Sequence, residues 1–137
     1  MKADFSGYKD VIKKLLEKTR QGRVEWTVDD RLNSFRCAIL GVLESANALA
    51  SLLGGYKEEL IFSFTVATSG MENPQPVLRM WDKSDNEIFR AESNDLPTSP
   101  EEEEVSQMID EIYELARRQA LKIEQKLVQA STLLDRV

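Results

Sequence analysis

The chain has 137 residues, 42% of them hydrophobic and 31% charged, which is ordinary for a globular domain and excludes wholesale disorder. No run approaches the 18 or so consecutive apolar residues of a membrane span. The formal charge of −6 argues against a general polyanion binder. That charge is unevenly spread: residues 1–36 carry nine basic and six acidic side chains, and the remainder carry nine and eighteen. One cysteine, Cys37, excludes an internal disulfide and points to a reducing compartment. The opening Met1-Lys2-Ala3-Asp4-Phe5 runs into charge rather than an apolar stretch, so the expectation is a cytoplasmic protein without a secretory leader.

Residues 5–20 read as an amphipathic helix. Phe5, Tyr8, Ile12, Leu15 and Thr19 recur at spacings of three and four, with Val11 and Leu16 widening the stripe. Asp4 is the candidate N-cap, and Gly22 supplies the stop. Val24, Trp26 and Val28 then alternate with polar residues, which is the period of a half-buried strand, and Trp26 reads as core. Asp29-Asp30 turns the chain into a second strand, on which Cys37 alternates inward with Phe35 and Ile39 as a buried structural thiol.

Residues 42–57 fit two descriptions. Leu43, Ala46, Ala50 and Leu53 share one helical face ended by Gly54-Gly55, yet the same stretch reads equally as a loop between strands. Residues 60–67 form the strongest strand, with Phe62, Phe64 and Val66 on one face and Ser63 and Thr65 on the other. A loop over Ser69-Gly70 and Asn73-Pro74-Gln75-Pro76 leads to residues 77–81 and 87–91, a hairpin turned at Lys83-Ser84-Asp85-Asn86. On it Val77, Arg79 and Trp81 alternate with Leu78 and Met80.

After a polar connector, Ser99-Pro100-Glu101-Glu102 places serine at an N-cap, proline at the first helical position and glutamate three residues on, a capping box. An apolar stripe follows through Val105, Met108, Ile109, Ile112, Ala116, Ala120, Ile123, Leu127, Ala130 and Leu134. Burying its large members contributes on the order of 10–20 kcal/mol gross, so this helical region must cover something. A straight helix of about 35 residues would be ~50 Å long. It therefore either breaks near Leu121-Lys122-Ile123 or projects to meet another chain.

The fold expectation is α+β in a single domain: a meander of about four or five antiparallel strands packed against an N-terminal helix and a long or bent C-terminal helical region. The divisions are 1–22 for the first helix, 23–92 for the sheet, 93–100 for the connector and 101–137 for the C-terminal helices.

The search for chemistry returns mostly exclusions. With no histidine, the commonest general base, the usual triads and most zinc sites are missing, and a lone cysteine lacks its usual activating partner. Phosphate-loop, dinucleotide and nucleophile-elbow motifs are absent. A calcium loop beginning at Asp82 fails, because Glu87 stands where glycine is needed and Ser93 where the twelfth-position glutamate belongs. Glu101 to Glu104 are explained by the helix dipole rather than by a metal. No catalytic residue, metal or cofactor is assigned.

The candidate binding residues are Arg79, Trp81, Arg117 and Arg118. Arginine offers a planar fork suited to carboxylate and phosphate, and arginine and tryptophan are both enriched at interfaces. The plainer reading pairs Arg117-Arg118 with Glu114 or Glu111 along the helix, or with acidic residues of the sheet, and puts Trp81 in the core. A third set, Lys13, Lys14, Lys18, Arg20 and Arg23, is the only basic cluster that would meet nucleic acid.

The run Leu15-Leu16-Glu17-Lys18-Thr19, then Gly22-Arg23-Val24-Glu25-Trp26, then a hairpin around Asp82-Lys83-Ser84-Asp85, then Ile112-Tyr113-Glu114-Leu115-Ala116-Arg117-Arg118-Gln119-Ala120-Leu121, resembles a loose group of small uncharacterised bacterial and phage proteins. These pair a leucine-rich helix and a K/R-x-x-W strand with a "LYELARRQAL" helix. The resemblance touches both ends and about half the chain, and residues 42–58 depart from the compact versions by looking longer. It implies a bend after Leu121-Lys122 and brings no activity. The functional expectation is therefore a non-enzymatic interaction or regulatory module of a bacterium or phage: a small subunit, inhibitor or adaptor. Its partner is a protein, a second copy included, met through the C-terminal helix. A small anionic ligand or nucleotide held by the arginines is the alternative, and nucleic acid comes after that.

Overall fold

The computed structural model describes residues 6–29, 33–44, 57–68, 74–94 and 96–137. Among them lie helix α1 (Ser6–Arg20), strands β1 (Thr27–Val28), β2 (Ser34–Glu44), β3 (Lys57–Thr68), β4 (Pro76–Asp82) and β5 (Glu87–Glu92), and helices α2 (Pro100–Ala120) and α3 (Ile123–Leu134). The strands form one antiparallel sheet in the order β1-β2-β3-β4-β5, so the fold is α+β with a simple meander.

Side-chain alternation divides the sheet into two faces. The register aligns Val28, Phe35, Val66, Leu78 and Ala91 across all five strands, and α2 lies over this face in contact with every strand. The core sits between them. Trp26, Phe35, Val66, Leu78, Ile109 and Ile112 are all at most 1% exposed. α1 packs beside α2 through Ile12, Leu15 and Leu16, and its Tyr8 stacks on Phe89 at 5.1 Å between ring centroids.

α1 ends where glycine was expected to stop it. Gly22 adopts φ 69°, the left-handed conformation that glycine enters without a Cβ penalty. Arg23 N–H donates to the Lys18 carbonyl at 2.9 Å and Gly22 N–H to the Thr19 carbonyl at 3.1 Å, the paired bonds of a Schellman motif. The expected N-cap Asp4 and the stripe residue Phe5 lie outside the described residues.

The first strand is shorter than its alternation implies. Only Thr27–Val28 pairs with β2, because Trp26 turns its indole into the core and gives its backbone N–H to Gln119 Oε1 at 3.1 Å. The helical alternative for residues 42–57 fails at both ends, where residues 42–44 continue β2 and Lys57 begins β3; residues 45–56 lie outside the described residues. Phe35 and Cys37 are buried as expected, but Ile39 is 37% exposed. Beyond Ile39 the β2–β3 ribbon runs past the last β3–β4 pair, Phe62 with Asp82, and leaves the shelter of the core.

The β4–β5 turn is built by Asp82, whose carboxylate accepts from the backbone N–H groups of Ser84 and Asn86 at 2.8 and 2.9 Å. Those bonds, with the Asn86 side chain, hold its pKa below the usual carboxylate range. Trp81 pairs with Glu87 and Met80 with Phe89, so Ile88 is the extra residue of a β-bulge and is 52% exposed.

Candidate functional site

The sheet face turned away from α2 has no described element over it, and its composition follows from the register. Thr27, Arg36, Thr65, Arg79 and Arg90 stand in one row across all five strands. The central strand β3 offers only small side chains here, Thr65 and Ala67. The long side chains of Arg36 on β2, Arg79 and Trp81 on β4, and Arg90 on β5 rise around them. Small floor and tall walls make an open trough of about 400 Å³.

The walls are fixed by polar contacts. Trp81 Nε1 donates to Thr65 Oγ1 at 3.1 Å, and the Arg79 guanidinium lies 4.3 Å from the Trp81 ring centroid, a cation–π arrangement. Arg79 also donates from Nε and Nη2 to Glu87 Oε2 at 3.0 and 2.5 Å. Arg36 Nε reaches Asp29 Oδ1 at 3.3 Å and Arg90 Nη2 reaches Glu92 Oε1 at 3.0 Å. Each arginine of the row thus has a carboxylate at the rim. An arriving anion exchanges one carboxylate for another and gains most at Arg36 and Arg90, whose single, partly exposed pairs are weak.

Trp81 is not in the core. It shares the open face with Arg79 because both have the opposite parity to the buried Leu78. Arg117 and Arg118 lie on α2, on the other side of the sheet, so the four candidate residues do not converge. Arg117 Nη1 is 3.7 Å from Glu114 Oε1, Arg118 Nε donates to the same oxygen at 3.2 Å, and Arg118 Nη1 donates to Glu124 of α3. That contact with Glu124, more than any other, raises the Arg118 pKa. Arg118 ties α2 to α3, whereas the Arg117 pair stays within α2. Glu111, the other helix partner considered for the two arginines, instead holds Arg20 of α1 at 2.5 and 2.6 Å. Among the described ion pairs are those of two basic residues nominated for nucleic acid, Arg20 here and Lys14 with Asp10 at 3.1 Å.

Sequence reasoning missed Arg36, Arg90 and Thr65. The parity was legible, since Arg36 falls between buried Phe35 and Cys37, and Arg90 between Phe89 and Ala91. What aligns them with Arg79 is the register between strands.

α3 forms the second candidate surface. Lys122, with φ 55° and ψ 45°, breaks the helix where the bend was expected, and among the described elements α3 packs chiefly against α2. None of its residues is buried, and Leu127, Val128, Leu133 and Leu134 are 58–71% exposed. Among the described residues, no group of three or more acidic or cysteine side chains converges as a metal site, and no helix is long and apolar enough to cross a membrane. The chain matches no protein-family model, no curated protein and no solved structure.

Proposed function

We propose that the protein is a non-enzymatic interaction module, a small subunit, inhibitor or adaptor, whose docking element is α3. The supporting observation is the contrast along one stripe. Ile109 and Ile112 on α2 are 0% exposed, whereas Leu127 and Leu134, which continue the stripe on α3, are 58% and 71% exposed. An amphipathic helix normally buries its apolar face, and among the described residues none buries this one. Covering the four large apolar residues of α3 with a partner helix would contribute on the order of 5–10 kcal/mol gross, part of which association itself consumes.

The test is capture from the native host by the wild-type chain and by a Leu127→Lys, Leu134→Lys double variant. A specific protein held by the wild type and released by the variant, with unchanged circular dichroism, is the expected result. A wild type that holds nothing, or a partner that stays on the variant, refutes the reading.

The row Arg36–Thr65–Arg79–Arg90 supports a second reading, a small anionic ligand seated in the trough. Thermal-shift screening against nucleotides and phosphorylated metabolites tests it. A ligand that raises Tm in the wild type and not in an Arg36→Ala, Arg90→Ala variant supports the trough; a shift that survives both substitutions places the ligand elsewhere.

A further inference from the structure

A chain with one short and one long edge to its sheet must do something with the long one. At one edge, β1 pairs only with Phe35 and Arg36 of β2, which leaves β2 from Cys37 to Glu44 without a described neighbour on that side. The direction of the free backbone groups follows from the bonds already made. Asp29 N–H donates to the Ser34 carbonyl at 2.8 Å, so even-numbered residues of β2 face the β1 side. Thr68 N–H donates to the Asn33 carbonyl at 3.2 Å, so odd-numbered residues face β3. Beyond β1, the N–H and C=O groups of Ala38, Leu40, Val42 and Glu44 therefore point away from the sheet. A groove of about 340 Å³ lies at the start of this stretch, between Glu25 and Thr27 on one side and Cys37 and Ala38 on the other.

Natural sheets blunt such edges with lysine, proline, a bulge or a covering element. Among the described residues none of these devices stands on residues 37–43: Cys-Ala-Ile-Leu-Gly-Val-Leu contain no charge and no proline, no described element covers them, and the β2–β3 register is unbroken. By contrast the opposite edge, β5, is guarded by Glu87, Arg90 and Glu92 and by the bulge at Ile88. Apolar side chains also stand exposed beside the bare stretch, Ile39 at 37%, Leu40 at 65% and Ile61 at 38%.

We infer that β2 is a strand-addition site and that its occupant is β2 of a second copy, paired antiparallel about a two-fold axis. Self-complementarity selects that occupant. With Gly41 on the axis, Ala38 meets Glu44 of the second copy and Leu40 meets Val42 of the second copy. Even positions then oppose even positions, and every outward N–H finds an outward C=O. The pairing ends at Ala38, where β1 takes over the edge, so the two sheets join into one without displacing any described element. A glycine on the axis suits the close Cα approach of a non-hydrogen-bonded pair, and Leu40 would pass from water into the join.

This surface is independent of α3. Two different two-fold contacts on one chain would build a tetramer or an open chain rather than a dimer, so the second copy belongs to β2 and α3 is left to a different protein.

Light scattering on the full chain across a concentration series tests the inference, together with amide exchange at Ala38 and Leu40. A dimer mass with both amides protected is the expected result. Leu40→Pro removes an outward N–H and leaves the β2–β3 bonds untouched, and Leu40→Lys adds charge to the edge while keeping the backbone. Both should return the monomer mass and fast exchange at Ala38, and Leu127→Lys, Leu134→Lys should keep the dimer. A strict monomer at millimolar concentration overturns the inference. So does a dimer that survives both Leu40 substitutions, or one lost only on changing α3.

Discussion

Cys37 shows how a neighbourhood sets the chemistry of one side chain. Burial pushes its thiol from the ordinary 9.0 up to about 12, against a smaller opposing contact from the Phe64 backbone. Below pH ~9 the folded and unfolded chains both hold the proton. Above it the unfolded thiol ionises while the folded one does not, so stability falls as pH rises from 9 towards 12. Two outcomes follow. A thiol reagent at pH 8 should leave Cys37 unmodified in the native protein and label it fully in denaturant. The alkaline fall in the urea midpoint should be shallower in Cys37→Ala than in the wild type. The two tryptophans make the same point. Each donates its indole N–H to a threonine, Trp26 to Thr19 at 3.2 Å and Trp81 to Thr65 at 3.1 Å, yet one is sealed in the core and the other stands on an open face. Trp26 was legible because only apolar residues share its parity. Trp81 was not, because its strand has Val77 on one parity and Leu78 on the other, and composition does not say which faces the helices.

At the scale of elements, α2 begins where the sequence signals a start. Ser99 Oγ accepts from Glu102 N–H at 3.1 Å, with Pro100 at the first helical position. Ser99→Ala should cost about 1 kcal/mol in urea unfolding. The Glu102 carboxylate is engaged by Asn94 and, at 2.8 Å, by the Thr98 hydroxyl, so it ties the connector to the helix. α1 is pinned to α2 by Arg20–Glu111 and Lys9–Glu104, and these bonds hold both carboxyls below their ordinary 4.5. Their contribution is present above about pH 4.5 and is lost as pH falls through the lowered folded values. Tm should drop on acidification below that point, and Glu111→Gln should flatten the drop. These cross-helix pairs could not be read from the chain, since their partners lie about 90 residues apart. The helix boundaries could, because caps are local.

For the whole molecule, one stripe of apolar residues has two environments, sealed on α2 and exposed on α3. Ile112→Ala should cost about 2–5 kcal/mol, because it empties a site sealed between α2 and the sheet. Leu127→Ala, at 58% exposed, should move the stability of the chain by no more than about 0.5 kcal/mol. Paired chemical denaturation of the two variants checks both.

Periodicity, caps and turn residues, all readable within a few positions of the chain, determined the helices, most of the strands and the meander, whereas the break at Lys122 was one of two alternatives that the sequence left open. Those signals are local because hydrogen bonding and side-chain alternation repeat over two to four residues. The trough, the edge of β2 beyond β1 and the exposed side chains of α3 were decided only in three dimensions. Each depends on which strand stands beside which, in what register, and on how far one helix reaches across the sheet.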